Sequence, residues 1–236
     1  MHKLAIAGVL VLTGAASAAA QSPWPTFTAS PTITPPKAGT RAHPRDVRLG
    51  LTIHWQTLGS SGQPIVTAFH ILLPKGARYN GAHVNACSLG ALEANGLNAC
   101  SRASIVGSGS ARAYANTTIT HLAITVVNGG AGRVYFYTAL GAPGRVRVPV
   151  IGKLTSMGGN WSYRLDVSVP HVLQVVSGAP IELTYLSLSA GRGSWLQTVG
   201  CAGGQKWPFQ VTTDYVDANT GATGSSITSG AVRCQR

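Results

Sequence analysis

Apolar and polar residues alternate along much of this chain. Between Val47 and Trp55 the odd positions are apolar, whereas the even positions carry Arg, Gly, Thr and His. The same alternation runs from Trp161 to Val169 and from Trp207 to Tyr215. A period of two is typical of strands that bury one face and expose the other. Apolar runs bounded by Gly, Pro and Asn predict further strands at 64–73, 103–115, 118–127, 132–140, 145–151 and 180–189.

One segment has the pattern of a helix instead. Ser88 is a good N-cap, Leu89 and Leu92 share a helical face, and Asn95-Gly96 is a typical helix end. The pattern therefore predicts an all-β chain with a single short helix.

The N-terminus has the composition of a secretory signal peptide. A short basic region, Met1-His2-Lys3, precedes an apolar stretch too short to span a bilayer, and small residues follow. We expect cleavage between Ala20 and Gln21, with cleavage after Ala18 as the alternative. No later apolar stretch is long enough to predict a membrane span. The mature chain is therefore predicted to be secreted and soluble.

Four cysteines lie in the part predicted to be exported. An even number of cysteines outside the cytoplasm predicts two disulfides. A zinc site is disfavoured because the short Cys-x-x-Cys spacing is missing. Neighbours along the chain meet first, so we predict the pairs Cys87–Cys100 and Cys201–Cys234. The first pair would enclose the predicted helix.

The chain is strongly basic but sparsely charged. Its 18 Lys and Arg residues against 6 Asp and Glu give a formal net charge of +12, although charged residues make up only 10% of the chain. Such a charge favours solubility, and it also attracts polyanions such as envelope polymers or nucleic acid. We favour the solubility interpretation, since the one basic cluster, at 37–48, contains Pro44 and has no interleaved aromatic residues.

The Gly-Ser repeat at 107–110 raises the question of a phosphate-binding loop. A dinucleotide fingerprint needs a third glycine where this chain has Arg112, and the Gly-Lys-Ser/Thr ending of a P-loop is missing. Residues 113–116 also continue as a strand rather than a helix. We therefore interpret the repeat as a strand flexed by glycine, and we predict neither nucleotide nor other cofactor.

Hydrolase and metal chemistry have weak support. The sequence contains no Gly-x-Ser-x-Gly elbow and no His-Glu-x-x-His motif. Glycosidases need two carboxylates that flank the glycosidic bond to be cleaved. Asp166 and Glu182 could share the outer face of a sheet. Solvated surface charges are the favoured interpretation of both. The stretch from Asp217 to Gly221 partly resembles a calcium loop but fits a hairpin turn better.

Two tryptophans flank Cys201 and offer the best binding hypothesis. An exposed Trp195 would suit stacking on sugar rings, with Arg192 and Lys206 adding contacts to anionic glycans. The alternative is that Trp195 and Trp207 belong to the core, and this alternative is favoured for both. Trp207 falls on the apolar face of its strand.

Several segments together resemble a group of exported proteins from high-GC bacteria. The matching segments are Pro-x-Lys-Ala-Gly-Thr at 35–40, Leu-Pro-Lys-Gly at 73–76, the Cys-Ser…Leu-Glu…Cys loop at 87–100, and Ser-x-Val-Gly-x-Gly at 104–109. The resemblance covers about residues 30–115 and implies export and a β-rich fold, but no substrate. It departs at Ser101, where the group has Pro, and at Val84-Asn85, where the group has Phe-Pro.

These observations predict one exported domain. Residues 21–46 have the composition of a linker, but the resemblance places 31–46 in the domain, so we expect a signal peptide at 1–20, an extended segment at 21–30 and a two-sheet β-sandwich at 31–236. The predicted function is a non-enzymatic structural or binding protein of the cell envelope or extracellular space, with envelope glycans or anionic polymers as partners. The alternatives are a carbohydrate-binding module and, third, a secreted glycoside hydrolase.

Overall fold

A computed structural model of the protein describes residues 24–56 and 62–235. The predicted signal peptide and its cleavage site, Ala20–Gln21, lie outside the described residues. The described residues form fifteen strands. These are β1 (Phe27–Thr34), β2 (Arg45–Asp46), β3 (Arg48–Trp55), β4 (Pro64–Pro74), β5 (Ala77–Tyr79), β6 (Ile105–Ala115), β7 (Thr118–Asn128), β8 (Arg133–Leu140), β9 (Val146–Ser156), β10 (Trp161–Ser168), β11 (Val175–Val176), β12 (Ala179–Ala190), β13 (Leu196–Thr198), β14 (Lys206–Asp217) and β15 (Thr223–Arg233).

Most of these strands belong to one antiparallel sheet. Its order is β1-β3-β12-β6-β7-β8-β9-β10-β4-β14-β15, and the short β11 pairs with β12. A second sheet of three short strands has the order β2-β13-β5. The prediction of an all-β chain is confirmed, and the alternating strands occur where the apolar pattern predicts them.

The large sheet curls until its two edges nearly meet. Near the start of β1, the Trp24 ring stacks on Tyr215 of β14 with ring centres 5.9 Å apart. Beyond the other end of β1, Lys37 forms a parallel bridge with Gln235, and the amide of Ala38 donates to the Gln235 carbonyl at 2.8 Å. The edge strands β1 and β15 lie against each other between these two points.

This arrangement differs from the predicted two-sheet sandwich. The core lies between two halves of one continuous sheet, whereas the second sheet is small and covers one end. Short hairpins connect β6 through β10 in succession, and each strand pairs with the next along its length. Hydrogen-bonded pairing therefore runs without interruption from β6 to β10, whereas in a two-sheet sandwich it would be interrupted between the sheets.

The first strand begins inside the segment predicted to be extended. Strand β1 starts at Phe27, within 21–30, and Phe27 pairs with Trp55. Pro and Thr gave this region the composition of a linker, but Ala29, Pro31 and Ile33 alternate with polar residues as in the other strands. Strand β15 was not predicted because Ser, Thr and Gly dominate it.

The Gly-Ser repeat at 107–110 lies within β6, as the strand interpretation predicts. A side chain on Gly107 would place its Cβ 2.2 Å from the Ser189 carbonyl oxygen, and one on Gly109 would lie equally close to that of Ser187. Glycine at these positions lets β6 approach β12 closely.

Both predicted disulfides are present, joining Cys87 to Cys100 and Cys201 to Cys234. The predicted helix, α1 (Leu89–Asn95), lies inside the first loop, and the Ser88 hydroxyl accepts from the Ala91 amide at 3.2 Å. Gly96 ends the helix with φ of 64°, a conformation that favours glycine. The structure adds a second short helix, α2 (His171–Gln174), and several 3-10 turns. None of the helices among the described residues is long and apolar enough to cross a membrane.

Candidate functional site

Trp195, the residue predicted to stack on sugars, lies in the interior. Its side chain is 6% exposed, and its indole Nε1 donates to Asn128 Oδ1 at 3.0 Å. The ring of Tyr79 meets it edge-on, with centres 5.4 Å apart. Trp207 is also buried and donates from Nε1 to the Gly200 carbonyl at 3.1 Å. The core alternative therefore describes both tryptophans, and neither ring face is open to a glycan.

Arg192 and Lys206, the other two predicted contacts, are exposed. The Arg192 guanidinium donates to the Arg102 carbonyl at 2.8 Å, and Lys206 begins β14 opposite Arg233. Because Trp195 is buried, these two basic residues have no exposed tryptophan ring beside them at that position. The structure does not assemble the predicted set of three as a surface for stacking on sugars.

The carboxylates considered for glycosidase chemistry do not face each other. Asp166 lies on β10 and Glu182 on β12, and four strands separate β10 from β12 in the sheet. Burial raises the pKa of Glu182. Asp217 accepts from the Thr220 amide at 2.8 Å and so stabilises the β14–β15 turn, in agreement with the hairpin interpretation.

Asp166 instead belongs to an ion-pair cluster on the outer face. His70 of β4 lies between Asp166 of β10 and Asp214 of β14, at 2.5 Å from Nδ1 and 3.0 Å from Nε2. Arg164 Nε donates to Asp166 at 2.6 Å. Burial raises the pKa of Asp166, but the hydrogen bonds from His70 and Arg164 outweigh it and leave the pKa lowered.

This cluster joins three neighbouring strands through two carboxylates, one guanidinium and the imidazole of His70. Its members are about one-third exposed on a sheet face, so they have the environment of a structural ion-pair network. Among the described residues, no group of three His, Cys, Asp or Glu side chains is placed to hold a metal ion.

The interior of the curled sheet contains cavities. A cavity of about 90 Å³ lies inside the curled sheet, and Thr138 is the one polar side chain in its wall. The Thr138 hydroxyl is already bonded to the Phe136 carbonyl at 3.1 Å. The rest of the wall is aliphatic, apart from Phe69 and Phe136. Such a space is dry, because water needs polar partners.

A second cavity of about 80 Å³ adjoins the first inside the curled sheet. Its polar side chains are Tyr79 and Trp195, and both are bonded elsewhere. Burial is the main cause that raises the pKa of Tyr79 to about 12, so its hydroxyl stays neutral. The two cavities share a wall of four side chains, Leu51, Ile71, Phe136 and Leu188.

The end of the interior beyond the second cavity is closed by a hydrogen-bond network. Asn128 is fully buried there, and its Oδ1 accepts from the Trp195 indole and the Gly130 amide. The Tyr79 hydroxyl lies 3.2 Å from the same oxygen and 2.7 Å from the Gly130 carbonyl oxygen. Its Nδ2 lies within hydrogen-bond distance of three carbonyl oxygens, those of Gly81, Val84 and Asn85.

The other end is covered by the connection between β10 and β12. These strands are far apart in the sheet, so residues 170–178, here called the end crossover, pass over the mouth of the first cavity. Leu173 is 6% exposed and lines that cavity, whereas Val172 beside it is 46% exposed.

Sequence reasoning missed both the cavities and Asn128. The Asn128-Gly129-Gly130 stretch has the composition of a turn, and nothing local marks the asparagine as buried. No family model matches this chain, and no curated protein matches its sequence.

Proposed function

We propose that the mature protein is an exported, non-enzymatic binding protein that holds an apolar small molecule inside its nearly closed sheet. The observation that carries this proposal is the pair of dry, adjoining cavities. Protein interiors normally pack as densely as organic crystals and contain few voids of this size. The signal-peptide pattern and the two disulfides support export to the envelope or extracellular space.

The cost of leaving the cavities empty also favours a bound ligand. At about 24 cal/mol per Å³, voids of these volumes each cost about 2 kcal/mol of stability. An apolar molecule that fills them recovers dispersion contacts and removes its own surface from water. The wall offers no unpaired polar side chain, so a sugar or nucleotide would lose its hydrogen bonds there.

Binding tests with three classes of probe examine this proposal. The mature protein is titrated with two apolar probes, benzene and n-hexane, with a neutral β-glucan oligosaccharide, and with heparin as the polyanion. Each titration is run at low and at physiological salt. We expect at least one apolar probe to bind regardless of salt. At a hundredfold excess over its Kd it should raise the Tm by roughly 5–10 °C.

Two variants locate the binding. Val150→Phe places a ring in the first cavity and should abolish binding of the apolar probe. Ile227→Phe adds similar bulk at a position that is 62% exposed and should leave binding unchanged. Binding of the glycan or heparin alone, or binding of none of the probes, would overturn the proposal in favour of a glycan-binding, polyanion-binding or structural role.

A further inference from the structure

We infer that the ligand is a linear amphiphile, with one unbranched hydrocarbon tail and an anionic head, and that it enters beneath the end crossover. This inference rests on the proposed function and adds to it the shape of the ligand, its charge and its route. Three features of the interior carry the inference: the tandem cavities, the unequal closure of the two ends, and the charge at the mouth.

The tandem cavities fit a chain better than a compact ring. Each is smaller than the roughly 150 Å³ of an engineered dry cavity that holds benzene, whereas together they exceed it. The side chains between them, such as Phe136 and Leu188, turn about single bonds without breaking a hydrogen bond. A chain one methylene wide can therefore pass from one cavity into the next.

The end beyond the second cavity is unsuited to opening. There the Asn128 network joins Trp195 and the 81–85 segment to β7, and opening it would leave several buried polar groups unpaired. The disulfide Cys87–Cys100 constrains the loop packed against the same region, since Cys87 donates its amide to the Asn128 carbonyl.

The end crossover is held far more lightly. The Val169 amide donates to the Thr67 carbonyl just before it, and the bond from Leu173 to Pro170 is internal to it. Gln174 bonds back to the Val169 carbonyl. Within it, the short strand β11 pairs with the first two residues of β12, and its buried apolar anchors are Leu173 and Val176. Lifting the crossover exposes these two side chains and breaks this short pairing while the long strands stay paired, so the first cavity opens here.

A guanidinium beside the end crossover suits an anionic head. Arg145 is exposed in the loop whose Gly144 lies close to Ser177 of the crossover. Two acids lie at the same end, Glu182 and Asp217, and the Asp217 carboxylate is occupied by the β14–β15 turn. We therefore place the carboxylate head at Arg145, with the tail extending from there beneath the crossover into the interior.

A chain-length series tests the ligand class. n-Alkanoates from hexanoate to hexadecanoate are titrated calorimetrically against the mature protein, with the matching 1-alkanols and benzene for comparison. Affinity should rise roughly fourfold per methylene until both cavities are filled, and then stop rising. Arg145→Gln should weaken the alkanoates severalfold and leave the alkanols unchanged.

A matched pair of wall variants tests the order of the cavities. Val150→Phe fills the first cavity and should abolish binding of every chain. Val126→Phe fills the second and should keep the short chains while removing the gain from the longer ones. Thermal unfolding checks that both variants fold. Equal effects of the two variants, affinity independent of chain length, or a preference for benzene would overturn the inference while leaving an apolar binding function in place.

A reversible crosslink tests the route. An ideal Cβ on Gly144 lies 4.0 Å from the Ser177 Cβ, a separation that suits a disulfide. In the oxidised Gly144→Cys/Ser177→Cys variant, the association rate of decanoate should fall at least tenfold. Each single variant, blocked with iodoacetamide, serves as a control and should bind at the normal rate. An unchanged rate in the oxidised double variant would overturn entry beneath the crossover.

Discussion

At the scale of single residues, the Asn128 side chain joins several separate segments of the chain, although the residues around it in the sequence predict only a turn. An amide side chain can both accept and donate: this one accepts from the Trp195 indole and from the turn after β7, and it donates toward the 81–85 segment. Fully buried polar groups are costly unless they are bonded, and here every one of the side-chain atoms has a partner. The end of the interior near Trp195 therefore depends on one residue.

We expect Asn128→Ala to destabilise the protein by about 3 kcal/mol or more. The substitution leaves the Trp195 indole and several carbonyl oxygens buried without their partner. Urea unfolding with the disulfides intact measures the change. Asn219→Ala, in the exposed β14–β15 turn, is the control and should stay within about 0.5 kcal/mol. A similar small change in Asn128→Ala would contradict the role assigned to it.

The ion-pair cluster at His70 predicts a pH dependence. The pKa of Asp166 is lower in the folded state than the usual value of about 3.9, so its carboxylate stabilises the fold above that pH. This contribution is lost as the pH falls through the folded pKa. Wild type should therefore exceed Asp166→Asn in stability near neutral pH, and the difference should shrink below about pH 4.

Urea unfolding of both proteins over a pH series measures that difference. Glu93→Gln, on the exposed side of α1, is the control and should change stability by less than about 0.5 kcal/mol throughout. A difference between wild type and Asp166→Asn that grows on acidification would show that the cluster acts with the opposite sign.

At the scale of elements, glycine is required in β6 but not in α1. Gly107 and Gly109 allow β6 to lie close against β12, where a Cβ would meet backbone oxygen. Gly90 lies in α1, with nothing within 4 Å of the position its Cβ would take. The surroundings of each element, rather than the residue type, decide whether glycine is needed.

Alanine substitutions should therefore change stability in opposite directions. Gly109→Ala forces a backbone shift against β12 and should cost at least about 2 kcal/mol. Gly90→Ala improves helix propensity without a clash and should stabilise by up to about 1 kcal/mol. Thermal unfolding of the two variants gives both values. Equal signs would contradict the close approach of β6 and β12.

At the scale of the whole molecule, one curled sheet has two ends of unequal strength. The small sheet, both disulfides and the Asn128 network lie at one end, and the end crossover covers the other. A closed sheet of more than eight strands encloses more space than its own side chains readily fill, which accounts for the cavities between the ends.

Hydrogen exchange should reveal this asymmetry. Amides of 171–176 should exchange at least about tenfold faster than those of 126–128 and 196–198, because the crossover opens by breaking only the short β11–β12 pairing while the long strands stay paired. Mass spectrometry on proteolytic peptides of the mature protein measures the rates. Comparable protection at the two ends would contradict the picture of one fixed and one lightly held end.

Local features of this protein were determined by its sequence alone. Strands such as β3 and β10 follow from alternation, α1 follows from its cap and its final glycine, and the disulfides follow from the spacing of the cysteines. Each depends on residues near one another in the chain, so short-range sterics and periodicity suffice to predict it.

Tertiary structure alone decided the closure of the sheet, the burial of Trp195 and the cavities. Trp195 has the same local sequence whether it faces solvent or Tyr79, and Asn128 would resemble a turn residue in either case. An enclosed volume depends on how strands distant in sequence pair and on how completely their side chains fill the space between them. An enclosed volume therefore has no local signature in the sequence, and it is the feature on which the proposed binding function rests.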